Sequence, residues 1–274
     1  MKSIYKNFGK QDSFILKSIF GSFLLVFIRF FSTNYFYKIG SKVIKKKARI
    51  KRFGSVLFKF IYFVIISTTE YTLIKNESWL PVELGGSGNI INAFINWPLH
   101  EITFYHRLIY IINLSYHTHS LIYLFLIGLK RNDRNEMLIH HLVTIFIILL
   151  SWYAKFIYIG IVVMFLHNIS DISTYAIKVL IDTDCNNLTI ILFIAVLLTW
   201  GWTRLYVLPN IIRQIYINVP SLIGRSNTNI FIVLLGTLFC LHIYWYGLVL
   251  NMGYVKLKKN IIEDTYQRDE NEVT

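Results

Sequence analysis

Apolar residues form seven long runs along the chain, separated by shorter polar connections. About 20 helical residues cross the roughly 30 Å hydrocarbon layer of a bilayer, and each run is near that length. The first run has no cleavage-like small-residue site after it, so we interpret it as a first span and not as a removed signal peptide. The predicted spans are about 13–33, 55–75, 101–127, 138–154, 157–178, 188–209 and 229–254.

Composition agrees with a polytopic all-α transmembrane bundle. Hydrophobic residues make up 55% of the 274 residues, charged residues 16%, and mean hydropathy is +0.51. Soluble domains carry about 25% charged residues. We divide the chain into an N-terminal span with a basic segment (1–54), a transmembrane domain (55–255) and an acidic, disordered tail (256–274). Cys185 and Cys240 are the only cysteines, and we expect them not to pair.

Basic residues orient the bundle. The net charge is +13, and eight of the basic residues lie within 38–52. Because this block lies between two spans, it indicates contact with anionic lipid headgroups and argues against nucleic-acid binding. Connections 34–54 and 128–137 and the residues after the last span are basic, whereas 76–100 contains no Lys or Arg. We therefore predict a luminal N-terminus and a cytosolic C-terminus.

Ionisable residues inside spans usually face a bundle interior or a cavity, so each is a candidate functional residue. On the fourth span His140, Thr144 and Ser151 recur at helical spacing and predict one inward polar stripe. His141 lies about 100° round the same helix.

A second stripe on the fifth span carries His167 and Asp171 at i and i+4, followed by Thr174 and Lys178. Helical rise places His140 about 9 Å from the cytosolic start of its span and Asp171 about 10 Å from the cytosolic end of the next. A histidine and an aspartate at matched depth can act as a base and its orienting acid.

Other polar residues favour structural roles. We interpret His106, His117, His242 and, less firmly, His119 as interhelical hydrogen-bond partners. Arg204 is interpreted as a structural or snorkelling charge near the luminal end of its span. A membrane metal enzyme would show HxxxH or HxxHH boxes, which this chain lacks, and adjacent histidines diverge on a helix; no metal is therefore expected.

Several motifs resemble those of the ceramide synthase family, within the TLC-domain superfamily. They are a charged turn at 130–133, the pair His140-His141, Ser151-Trp152, and a segment at 167–171 that ends in Asp171. Trp97-Pro98, His119-Ser120, the stretch 204–209 and the stretch 242–246 also resemble family landmarks. The resemblance covers roughly residues 40–255. It departs at Asn168, where the family has an acid, and at Tyr175, where the family has Glu.

The resemblance implies a TLC-domain fold and transfer of a fatty acyl group from acyl-CoA to the amine of a sphingoid base, in the endoplasmic reticulum membrane. It implies no cofactor beyond acyl-CoA as co-substrate, and contact with the lipid bilayer; a homodimer or a small regulatory membrane subunit would fit. His140 would act as nucleophile or general base with Asp171. The remaining assigned residues are catalytic His141 and His167, and substrate-binding Asn168, Ser170, Thr144, Ser151, His119, Lys130, Arg131 and Arg134.

One alternative belongs to a different class of protein. A TLC-domain lipid-binding or trafficking protein would keep the bundle and lose catalysis. The neutral Asn168 and Tyr175 favour this alternative, whereas His140, His141 and Asp171 oppose it. If an acid is simply missing at 168, Asn168→Asp should raise or preserve acyl transfer.

Overall fold

Helices account for nearly all of the chain that the structure describes. The computed structural model describes residues 2–44, 47–126, 133–181, 183 and 185–259. Each of the seven predicted runs coincides with a helix or with consecutive helical segments, so the all-α prediction is confirmed. The helices are α1 (Lys2–Val43), α2 (Lys47–Ile74), α3 (Phe104–Leu126), α4 (Arg134–Tyr153), α5 (Ile157–Leu180), α6 (Asn186–Trp200), α7 (Leu208–Asn218), α8 (Pro220–Ile223) and α9 (Arg225–Lys259).

Five helical stretches among these residues are long and apolar enough to cross a membrane: 13–43, 134–153, 157–180, 187–218 and 225–255. The other two long helices, α2 and α3, carry polar residues inside the bundle. Glu70 on α2 and Asn113 on α3 are both almost fully buried. These inward polar groups lower the hydropathy of α2 and α3.

Helix α5 is the centre of the bundle. It contacts α2, α3, α4 and α6, and its apolar stretch is 56% buried, the largest share of the five. Helix α1 packs along α2 and α3, while α9 packs against α4 and α7. The largest hydrophobic cluster includes Ile157, Ile161, Phe165 and Leu166 on α5. Polar residues on this central helix are therefore surrounded by other helices.

A wider helical segment joins α6 to α7. Residues Gly201–Val207 form π-helix, which is rare and is often found at functional sites. Arg204 lies in this segment and is 3% exposed. A snorkelling side chain would reach the membrane interface, so our interpretation of Arg204 as a snorkelling charge is wrong.

The connection between α2 and α3 is compact. Its glycine run, Gly85-Gly86-Ser87-Gly88, packs against residues 78–80, with Gly88 N–H donating to the Leu80 carbonyl at 2.9 Å. A Cβ on Gly86 would lie 2.2 Å from the Leu80 carbonyl oxygen. The glycines therefore allow a close approach between the backbone of this run and residues 78–80.

Three further sequence predictions concern the two cysteines, the charged turn and the C-terminal tail. Cys185 and Cys240 are both free, as predicted. Lys130 and Arg131, and the predicted disordered part of the tail from 260 onwards, lie outside the described residues.

Candidate active site

Two cavities inside the bundle meet at one group of polar side chains. Both are lined by His117, His140, Asp171 and Arg204. These four residues come from α3, α4, α5 and the π-helical segment. The shared boundary thus joins a deep cavity and an outer one at the depth predicted for His140 and Asp171.

The inner cavity is an apolar channel. Along α4 it runs from His140 to Ser151, about 16 Å at helical rise. The other residues that line the inner cavity are mostly aliphatic or aromatic. They include Ile147, Ile148, Ile159, Val163, Met164, Ile215, Phe231, Leu235 and Leu238. The cavity has a volume of about 60 Å³, and its apolar lining suits a hydrocarbon group with the polar side chains at the His140 end.

The outer cavity opens at the basic end of the bundle. Asp133 lies where α4 begins, Lys178 near the end of α5 and Met252 near the end of α9. Lys59 on α2 also lines it. The end of α1 and the start of α2 lie at this same end, because Ile44 and Ile50 pack in one cluster with Val179 near the end of α5. An anionic headgroup would therefore meet positive charge here.

Arg204 holds the shared group in place. Its Nη2 is ion-paired with the Asp171 carboxylate and also donates to the His167 carbonyl at 3.2 Å. Nε donates to Ser170 Oγ at 2.7 Å. The guanidinium also lies over the Trp200 ring, 4.1 Å from its centroid. The Asp171 carboxylate is therefore paired with Arg204, and its role in orienting His140 or an adjacent histidine stays a prediction.

A chain of hydrogen bonds continues from Arg204 through two histidines. Arg204 Nη1 lies 3.5 Å from His242 Nδ1, and His242 Nε2 lies 2.8 Å from His167 Nε2. His167 Nδ1 lies 2.6 Å from the Val163 carbonyl oxygen. A guanidinium has no acceptor, so the only consistent assignment has His242 Nε2–H donating to His167 and His167 Nδ1–H donating to Val163. Both rings are then neutral, and both nitrogens of His167 are engaged.

Three other histidines, His117, His140 and His141, form a group beside these hydrogen-bonded residues. One ligand atom from each lies within 4.8 Å of the others, a spacing that could hold a metal ion. His117 and His140 each have an Nδ1 without a hydrogen-bond partner in the described part of the chain. His140 and His141 diverge on α4, but His117 on α3 completes a group whose ligand atoms lie close enough for one ion. The expectation that no metal binds stays a prediction.

The polar stripe predicted on α4 is confirmed. His140, Thr144 and Ser151 all line the inner cavity. Ser151 also shares a hydrogen bond of 3.0 Å with the hydroxyl of Tyr110. His141 lines only the outer cavity.

Other predicted substrate-binding residues lie in different places. Asn168 lines the inner cavity. Ser170 lines neither cavity. It accepts a hydrogen bond from Arg204 and so helps to hold that side chain in place. His119 is 0% exposed, packs against Phe58, and lines neither cavity. Arg134 begins α4 near the outer opening but is not part of either lining.

Sequence reasoning undervalued His117 and missed Glu70. His117 lines both cavities, so it is more than an interhelical partner. His242 is an interhelical hydrogen-bond partner, as predicted, because it joins Arg204 to His167. Arg204 has a structural role as the ion-pair partner of Asp171, which was one of its two interpretations. Glu70 was not considered, although an acid inside a predicted apolar run is itself a signal of a buried functional group.

Comparisons with known proteins agree with the motif resemblance. The sequence model of the TLC domain matches residues 52–251. The chain belongs to the TLC-domain family. The matched residues cover the helices that form both cavities.

Relatives of this TLC-domain protein include ceramide synthases. The chain is 25% identical to ASC1-like protein 1 of Oryza sativa subsp. japonica, over 94% of this chain and 89% of that protein. It is 26% identical to ceramide synthase hyl-2 of Caenorhabditis elegans, over 80% of this chain and 68% of that protein. It is 28% identical to ceramide synthase 4 of Mus musculus, over 80% of this chain and 54% of that protein. The predicted resemblance to the ceramide synthase family is confirmed.

Proposed function

We propose that this protein is a ceramide synthase of the endoplasmic reticulum membrane. It would transfer a fatty acyl group from acyl-CoA to the amine of a sphingoid base and give a ceramide or dihydroceramide. The observation that carries the proposal is the meeting of an apolar channel and a basic-ended cavity at His140. That arrangement suits a substrate with a long hydrocarbon chain, a reactive carbonyl and a large anionic headgroup.

The proposed topology has seven crossings, with the N-terminus luminal and the C-terminus cytosolic. The outer cavity opens at the end of the bundle where α1 ends and α2 begins, and basic residues such as Lys42 and Lys51 there favour the cytosolic side. Acyl-CoA would enter from there, with its phosphates near Lys59 and Lys178 and its acyl chain in the inner channel. The thioester would then lie beside His140.

His140 is the reactive residue in the proposed mechanism. Its Nδ1 has no partner among the described residues, whereas both nitrogens of His167 are engaged. As a nucleophile, the His140 imidazole attacks the thioester carbonyl, the C–S bond breaks and CoA leaves as a thiolate. The sphingoid amine then attacks the acyl-imidazole carbonyl, the C–N bond to the ring breaks, and the amine proton passes to the released ring nitrogen and on to the CoA thiolate. As a general base, His140 takes the proton from the amine as the amine attacks the thioester carbonyl, the C–S bond breaks, and the proton is passed on to the departing CoA thiolate.

The ion pair of Asp171 and Arg204 would act on the histidines through the hydrogen-bond chain. Arg204 fixes the tautomer of His242, and His242 fixes that of His167. The rings of His140 and His242 are 6.2 Å apart. The hydrogen-bonded residues from Arg204 to His167 therefore form one wall of the reacting centre. Asp171 balances the buried guanidinium, since an unpaired buried charge is costly.

Purified protein tests the proposal directly. Incubation with labelled acyl-CoA and sphinganine should give an N-acyl product. The second candidate function, lipid binding or transport without catalysis, is favoured by Asn168 and Tyr175 and predicts that sphinganine binds without product formation. Activity of the purified chain alone would also exclude the need for a partner subunit.

A further inference from the structure

A buried carboxylate lies behind the position where the family acid is absent. Glu70 on α2 is 0% exposed. Its Oε1 accepts from Asn113 Nδ2 at 2.7 Å and from Asn168 Nδ2 at 3.1 Å, and its Oε2 accepts from Asn168 Nδ2 at 2.9 Å. The acid therefore comes from a neighbouring helix and contacts position 168 directly.

These contacts fix the orientation of the Asn168 amide. Its Nδ2 also donates to Asn113 Oδ1 at 2.9 Å, so every acceptor around the nitrogen belongs to Glu70 or Asn113. An amide whose nitrogen is held on one side presents its oxygen on the other side. Asn168 lines the inner cavity next to His167. Its oxygen is thus set to accept a hydrogen bond from a group in that cavity.

We propose that Glu70 is a positioning residue that holds Asn168 so that its amide oxygen accepts from the amine or hydroxyl groups of the sphingoid base. This inference rests on the proposed function, because it assigns the residues that bind the second substrate. It also accounts for the neutral Asn168 without loss of function, because α2 supplies a buried acid beside position 168.

Three substitutions separate this role from a structural one. Glu70→Gln replaces one carboxylate oxygen by an NH₂ group. Both oxygens accept from Asn168 Nδ2 in the wild type, so whichever oxygen is replaced, two donors face each other and Asn168 must turn. Asn168→Asp places two carboxylates within hydrogen-bond distance, and like charges so close cannot both ionise. The double variant restores one acid: the new amide at position 70 can donate to the new carboxyl group at position 168 and accept from Asn113. When protonated, that carboxyl group can also donate to Asn113 Oδ1, as Asn168 Nδ2 does in the wild type. Thr68→Val, on an exposed part of α2, is the matched control.

The readouts are the Kd of labelled sphinganine and the KM values for sphinganine and acyl-CoA. Each single variant should weaken sphinganine binding about tenfold or more, the scale of a lost hydrogen bond to a charged group. For Asn168→Asp this result is the opposite of the one expected if an acid were simply missing at position 168. The KM for sphinganine should rise more than the KM for acyl-CoA, the double variant should recover most of the binding, and Thr68→Val should bind like the wild type. A general packing defect would change both substrates together and would not be rescued.

Two results would overturn the inference: wild-type sphinganine binding in Glu70→Gln, or no recovery in the double variant. The double variant keeps the test decisive if a single variant fails to fold, because it must fold and bind. Failure of the proposed function looks different, since the wild type would then form no product whatever happens at position 70.

Discussion

The length of the inner channel should set the preferred acyl chain. Leu235 on α9 lines the channel and is 2% exposed. It lies seven residues from His242, about 10 Å along the helix axis, whereas Phe231 lies eleven residues away, about 16 Å. Leu235→Trp should therefore close off roughly the last third of the channel and move the preference to shorter chains.

The size of this effect follows from the burial of methylene groups. Each buried CH₂ contributes about 0.8 kcal/mol, so each one displaced from the channel should lower the relative kcat/KM about fourfold. Three displaced methylenes would cost about 60-fold. Chains short enough to end above Leu235 should react as with the wild type.

Competition among acyl-CoA substrates of different length, with products separated by mass, measures the shift. Val233→Trp is the matched control, because Val233 is on the same helix and 65% exposed; it should leave the preference unchanged. A uniform loss at all chain lengths in Leu235→Trp, or the same chain-length profile as the wild type, would refute the assignment of this cavity to the acyl chain.

Three further predictions concern the ion pair, metal and topology. Asp171→Asn should destabilise the protein by about 3–5 kcal/mol, because it leaves the Arg204 guanidinium buried and unpaired. Glu101→Gln, at an exposed position, should leave the stability unchanged. Equal thermal stability of the two variants would contradict the pairing. Chelators should leave the activity of purified protein intact, since the mechanism requires a free imidazole nitrogen on His140; loss on chelation that returns with Zn²⁺ would mean that the three-histidine group holds a catalytic metal. A glycosylation acceptor inserted beside Leu99, which is 85% exposed, should be modified and one beside Arg134 should not; the reverse pattern would place the outer cavity on the luminal side.

Periodicity and hydropathy were enough to predict the helices and part of the site. His140, Thr144 and Ser151 share a face of α4 because a helix repeats every 3.6 residues, and that face does line the cavity. The depth argument also placed His140 and Asp171 at the same level. Both inferences depend only on geometry within one helix or between helices that are consecutive in the chain.

Contacts between helices distant in sequence could not be predicted this way. Asp171 is paired with Arg204 because the π-helical segment at 201–207 turns that side chain inward, and no spacing rule indicated this change in helical phase. His242 reaches His167 across 75 positions. Glu70 meets Asn168 only because α2 packs on α5, so position 168 alone suggested a missing acid.

Acyl transfer by the His140→Ala variant is the most direct test of the account. The variant should fold, bind sphinganine and lose about a hundredfold or more of the wild-type rate, a size typical of a lost catalytic acid or base. His106→Ala, buried against Trp79 away from both cavities, should change protein abundance more than the rate per molecule. Wild-type turnover by well-folded His140→Ala protein would contradict the proposed mechanism.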